Sequence, residues 1–199
     1  GLARVNVYAT GSGIDDKTDE QLQALRGLRL HTLYMGLESG DDETLKRMRK
    51  AESAAVMVSA GRRAQSAGLH MSVMVLLGLG GKERMVAHAR ATAAALNGMQ
   101  PRLLSALRVI PVPGTVLHQE IRQGRFRQLT EHEVIQELRM MVAGLALERT
   151  VFRANHNSNI VPLEATFPRD KQRLLGRLDE TLASGELDKE SPGPMPAWL

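Results

Sequence analysis

The chain has 199 residues, 43% of them hydrophobic and 24% charged, enough for one sizeable core. Lys and Arg exceed Asp and Glu by 26 to 22; a formal charge of +4 is too small an excess to require a nucleic-acid partner, and 3% aromatics leave little for base stacking, although an RNA substrate stays open. The absence of cysteine excludes disulfides and any cysteine-held zinc or iron–sulfur site within these residues.

The chain opens on Gly1 with a strand-like run already under way, as expected of the continuation of something longer; a tag scar or initiator removal is the plain alternative. Residues 5–9 are the first β-type run and end at Thr10-Gly11-Ser12-Gly13. "TDEQ" from Thr18 is a capping box for a helix striped by Leu22, Leu25 and Leu28. A second run, 32–37, ends at Glu38-Ser39-Gly40, and the charged helix behind it closes on Lys50. Ser53 caps a helix that stops at Gly68. Residues 71–77 form the third run, followed by Gly78-Leu79-Gly80-Gly81 and an Ala-rich helix over 83–96. The fourth run, 104–109, leads into "PVPGT". "TEHE" from Thr130 caps a helix to about Glu148, 151–154 is a short fifth run, and 170–182 is the last helix before an irregular tail. Four or five β-type runs, apolar on both faces and alternating with helices, indicate an α/β fold with a parallel sheet, either doubly wound or part of a barrel. No linker divides the chain. Three regions are expected: 1–128, carrying the βα units; 129–184, a helical extension with a polar loop at 153–159; and the tail, 185–199. No apolar run approaches membrane length and no signal peptide opens the chain, so the cytoplasm is the expected compartment, without a membrane partner.

In parallel α/β folds ligands bind at the carboxyl ends of the strands. Four consecutive strand tops here are small and polar, which favours one elongated ligand over four unrelated turns. Glu38 can accept from hydroxyls, Ser39 can donate and accept, and Lys50 can reach a carboxylate. Taken singly each is ordinary: glycines turn chains, and a lysine at a helix end complements the dipole. "GSG" and "GLGGKE" match neither dinucleotide nor phosphate-loop spacing. "RANHNSN" at 153–159 reads first as a self-capped loop, and more sharply as a polar substrate contact through His156, Asn157 and Asn159. His31, His70, His88, His118 and His132 are dispersed, so no metal site is expected. No catalytic residue stands out.

The stretches "YMGLESGDDETLKRMRK", "GLHMSVMVLLGLGG" and "LRVIPVPGTVL" together resemble the later half of radical S-adenosylmethionine enzymes, in the branch of methylthiotransferases and oxygen-independent coproporphyrinogen dehydrogenases. "FRANHNSNIVPLEATFPRDKQRLL" is similar to the end of other members. The resemblance implies part of a (β/α)6 barrel of TIM type with additional C-terminal helices. It implies S-adenosylmethionine as cofactor and, in the full-length protein, a [4Fe–4S] cluster on a CxxxCxxC loop that this chain does not contain. The chain would then be a C-terminal fragment, inactive alone, of an enzyme that cleaves S-adenosylmethionine reductively to a 5′-deoxyadenosyl radical acting on an unknown substrate. By the same resemblance Glu38 and Ser39 contact the ribose and methionyl part, and Lys50 approaches the cofactor carboxylate. Gly78, Gly80 and Gly81 lie beside the adenine, Val109 and Ile110 pack on it, and Thr10 and Ser12 sit at the first strand tip. Met74 stands where some relatives carry an Asp. Self-association through an exposed sheet edge is also expected. A non-redox α/β barrel, ligand-binding or aldolase-like, is the alternative.

Overall fold

The computed structural model describes residues 3–194. Residues 195–199 of the expected irregular tail lie outside them. Six strands form one sheet in sequence order: β1 (Val5–Tyr8), β2 (Leu30–Glu38), β3 (His70–Leu77), β4 (Leu103–Arg108), β5 (Thr150–Ala154) and β6 (Leu163–Phe167). The first five run parallel and β6 returns antiparallel to β5.

Eight helices complete the described chain: α1 (Gly11–Asp15), α2 (Asp19–Gly27), α3 (Asp42–Arg47), α4 (Ala54–Ser66), α5 (Gly81–Met99), α6 (Val116–Arg122), α7 (Glu131–Gly144) and α8 (Lys171–Ala183). Both expected capping boxes are made: Thr18 accepts from the Gln21 amide while the Gln21 side chain accepts from Thr18, and Thr130 pairs with Glu133 in the same way. Among the described residues no helix is long and apolar enough to cross a membrane.

Alternation along the strands separates two faces. Leu33, Met35 and Leu37 of β2, Met71, Val73 and Val75 of β3, Leu104 and Ala106 of β4, and Phe152 of β5 are buried in one hydrophobic core shared with α4, α5, α7 and α8. The other face carries Tyr34, Ser72 and Leu103 in one register row and Gly36, Met74, Ser105 and Arg153 in the next. The strand interiors are therefore two-sided, with one side dry and the other facing the groove described below. β1 is an edge strand, exposed at all four positions.

Two expectations change. Residues 129–184 are not a helical extension: they supply two strands of the same sheet, and Phe152 packs edge-on against Phe167 with ring centroids 6.2 Å apart. Thr10 to Gly13 is not an open turn either, because residues 11–15 wind into α1. Since Phe152 and Phe167 lie in the common core, Phe152→Ala should cost about 3–5 kcal/mol, in line with large-to-small core changes. Denaturant unfolding should show that loss in a single transition; two separate transitions would detach the C-terminal strands from the core.

Candidate functional site

Glu38 ends β2 beside a register shift between Gly36 and Glu38, and its φ of 59° is left-handed. Residues with a Cβ adopt that region rarely. The turn brings Glu38 Oε1 to 2.6 Å from Nζ of Lys50, just beyond α3. The pair stands in a groove of about 680 Å³ lined by Tyr8, Thr10, Tyr34, Gly36 and Met74 among others. Small-molecule sites typically occupy roughly 300–1,000 Å³. The Tyr8 and Tyr34 rings are 5.4 Å apart and form part of the wall. An adjoining hollow of about 250 Å³ shares Thr10, Gly36 and Lys50 and adds Ser12 and Glu52. Glu52 accepts the amides of Gly11 and Ser12 at 2.9 and 2.7 Å, and Thr10 caps α1 by accepting from Gly13. Thr10 and Ser12 thus reach the site as parts of a tethered helix start.

Ser39 points the other way. It is fully buried, its hydroxyl lies 2.7 Å from Nδ1 of His88 on α5, and it accepts from the Asp41 amide at 2.9 Å. Its side chain is committed to the fold, contrary to the expected cofactor contact. His88 Nε2 lies 3.1 Å from the Leu76 carbonyl, which can only accept, so Nε2 carries the proton and Nδ1 accepts from Ser39. Burial pushes the His88 imidazole down to about 4. Asp41 caps α3 through Thr44 and forms a two-pronged bond with Arg84, both N–O distances 2.7 Å. That guanidinium holds the Asp41 carboxyl at about 2, against the opposing effect of burial.

Glu137 on α7 completes this buried set. Its Oε2 accepts the Gly78 amide at 2.6 Å, its Oε1 has no hydrogen-bond partner, and burial pushes its carboxyl up to about 8. Glu137 lies 4.0 Å from His88 Nε2. Both groups are neutral near pH 7, so the contact is not an ion pair.

The glycines divide. Gly78, with Val109 and Ile110, lines a separate hollow of about 130 Å³ with Arg108, Val134 and Gly193. Gly80 and Gly81 serve packing: a Cβ would come within 2.9 Å of His88 Cβ at Gly80, and within 3.0 Å of the Arg127 carbonyl and the Phe126 ring at Gly81. The loop at 153–159 is largely self-capped. His156 Nδ1 accepts from the Ser158 amide, while Asn159 accepts from the Arg108 amide at 2.8 Å and donates to the Ala106 carbonyl at 2.9 Å. Asn159 therefore extends the β4 ladder, and Asn157 is exposed. Two groups assemble at one end of the sheet: Glu38, Lys50, Thr10 and Ser12 over β1–β2, and Gly78, Val109 and Ile110 over β3–β4.

Sequence reasoning passed over Tyr8, Tyr34, Glu52, Arg84 and Glu137. The two tyrosines are register partners on β1 and β2, a pairing visible only once the strands are aligned. The partners of the three charged residues lie 40 or more residues away in the chain.

Residues 2–91 match the family model of the radical SAM superfamily. No curated protein matches the chain. Among solved structures, the archaeal Methanocaldococcus infernus Elp3 with an N-terminal deletion (1–46) shares 13% identity at a TM-score of 0.66, over 94% of this chain and 43% of that one. Methylornithine synthase, PylB, shares 17% at 0.51, over 89% of this chain and 57% of that one. The chain thus spans less than two thirds of either structure. At these identities the likeness shows the fold alone, an α/β barrel-like sheet.

Glu137 gives a sharp pH test. Between pH 6.5 and 8 the unfolded carboxyl is ionised while the folded one keeps its proton, so stability falls as pH rises. The limit is about 1.4 kcal/mol per pH unit, about 2 kcal/mol across the interval. His88 acts in another window, where stability falls as pH drops from 6.5 towards about 4. Glu137→Gln keeps an acceptor for Gly78 and should flatten the alkaline slope of the thermal midpoint. An unchanged slope would remove Glu137 as its source.

Proposed function

Because residues 2–91 belong to the radical SAM superfamily, we propose that this chain forms the later strands of a radical SAM barrel and supplies one wall of an S-adenosylmethionine site. The Glu38–Lys50 pair carries the reading. Its carboxylate and ammonium, 2.6 Å apart at a strand-top groove, are complementary to a ligand bearing its own amine, carboxylate and ribose diol. Glu38 would accept from the diol and Lys50 would hold the ligand carboxylate, with Thr10 and Ser12 as hydroxyl contacts. Gly78, Val109 and Ile110 would take the adenine, and the apolar wall would exclude water. Ser39 would act through His88, holding the turn behind Glu38, and His156 and Asn157 would face substrate.

These residues do not fit an iron–sulfur cluster. The 199 residues contain no cysteine, and among those described no group of three His, Asp or Glu side chains could hold a metal. In the proposal the cluster, and with it reductive cleavage to a 5′-deoxyadenosyl radical and the step on substrate, belongs to polypeptide outside them. The exposed β1 edge would pair with a strand of that polypeptide or of a second copy. The non-redox alternative rests on the missing cysteines and predicts no preference for this nucleoside.

Isotope-edited NMR of the chain with millimolar S-adenosylmethionine should move the amides of Thr10, Gly36 and Glu38. Bonds to a charged acceptor are worth about 1.5–3 kcal/mol. Glu38→Gln should therefore weaken binding by roughly ten- to a hundredfold, at about 1.4 kcal/mol per factor of ten. Absence of any shift at these amides would overturn the reading in favour of the alternative.

A further inference from the structure

The opposite end of the sheet carries a pattern that the cofactor reading does not use. Arg4 precedes β1, Arg29 precedes β2, His70 opens β3, Arg102 precedes β4 and Arg149 precedes β5. Antiparallel β6 finishes at the same end, and Arg169 follows it. Every strand thus has a cationic or titratable base there, and backbone bonds place them in sequence: Val5 donates to the Arg29 carbonyl, Arg102 to Met71, and Val151 to Arg102. Strands lie about 4.8 Å apart, so the row spans roughly 24 Å.

Arg4, Arg29, Arg102 and Arg149 are exposed. Arg26 is held beside the row by a 2.9 Å bond from Nε to the Gly68 carbonyl, and Arg102 Nη1 reaches the Arg149 carbonyl at 3.3 Å. These bonds aim the guanidinium groups without neutralising them. His31 and His70 stack edge-on in the middle, ring centroids 4.3 Å apart. Burial, then the charges of His31, Arg102, Arg26 and Arg4, push the His70 imidazole below its ordinary value. The flanking carboxylates are Glu148 and Asp170, and Asp170 already binds Arg169 and Arg173. Arg29 also sits at φ 72°, where a glycine would rest more easily. The whole chain carries only +4, yet the fold gathers arginines from five separated segments, with His70 from a sixth, into one row.

We infer that this row is a docking surface for the phosphodiester backbone of a nucleic acid, gripped through its phosphates and not its bases. Arginine forks suit phosphate oxygens, and a row one strand wide fits a linear polyanion better than a planar one. Among the described residues, the Phe rings of β5 and β6, Phe152 and Phe167, are buried, and the His31 and His70 rings stack on each other, so the row grips phosphates and not bases. The surface lies at the far end of the strands from Glu38 and Lys50 and stands independently of that pair.

The test is fluorescence anisotropy of the 199-residue chain with a labelled single-stranded RNA of mixed sequence, titrated from 50 to 200 mM salt. Four phosphate contacts would give a log–log slope of about −3 and an affinity loss of about 50-fold across that range. Arg102→Gln with Arg149→Gln should flatten the slope by one to two units, with Arg4→Gln as the single-site check should the double variant unfold. Arg125→Gln with Arg127→Gln, removing equal charge from the other end, should leave it unchanged. Equal losses in both double variants, absence of salt-dependent binding, or binding to anionic vesicles but not RNA would each overturn the proposal.

Discussion

The Ser39 hydroxyl ties the turn after β2 to α5 and, through His88, to β3. It receives the Asp41 amide from the turn after β2 and donates to His88 of α5, whose other nitrogen donates to the Leu76 carbonyl near the end of β3. Asp41 in turn caps α3 and grips Arg84 one helical turn before His88. Ser39, Asp41 and His88 all have their side-chain polar atoms partnered, and a satisfied buried network admits few alternative arrangements. The position of the β2 turn, and through it the direction of Glu38, depends on that chain. Glu137 extends the arrangement to Gly78, so one buried assembly sets the heights of two neighbouring strand tops.

The sheet concentrates its helices and its hydrophobic core on one face. Small and polar residues, Gly36, Ser72 and Ser105, alternate with Met74 and Leu103 on the other. Parallel strands buried on both faces would read as unbroken apolar runs; here Gly36 interrupts β2 where that face, with Tyr34 and Met74, lines the groove. Cations at the strand bases and a carboxylate–ammonium pair at the tops give the two ends of the same strands different electrostatic characters.

Much of this was legible. The capping boxes at Thr18 and Thr130 and the five parallel strands follow from local rules, because their causes lie within a few residues. β6 was missed: Leu163 to Phe167 is five residues, with Glu164 and Thr166 on one side, and its assignment depends on pairing with β5. α1 was missed because Gly11 and Gly13 are poor helix formers; Glu52, some 40 residues away, secures its first turn. The prominence of Glu38 and Lys50 was readable from their places at the end of a strand and just past the helix that follows it. The direction of Ser39 was not, since a one-residue irregularity in a strand sends side chains to the opposite face and sequence does not announce it.

The left-handed backbone of Glu38 has a consequence for how the protein can change. Holding a residue with a Cβ there costs on the order of 1–2 kcal/mol, a substantial share of the 5–15 kcal/mol by which domains of ordinary size are stable. The simplest stabilising replacement at this position is glycine, and it is also the one that removes the carboxylate from the groove. Selection for thermal robustness and selection for the anionic contact therefore pull against each other at a single codon. A lineage that kept the fold but had no use for the Glu38–Lys50 pair would have every thermodynamic reason to record that as Glu38→Gly.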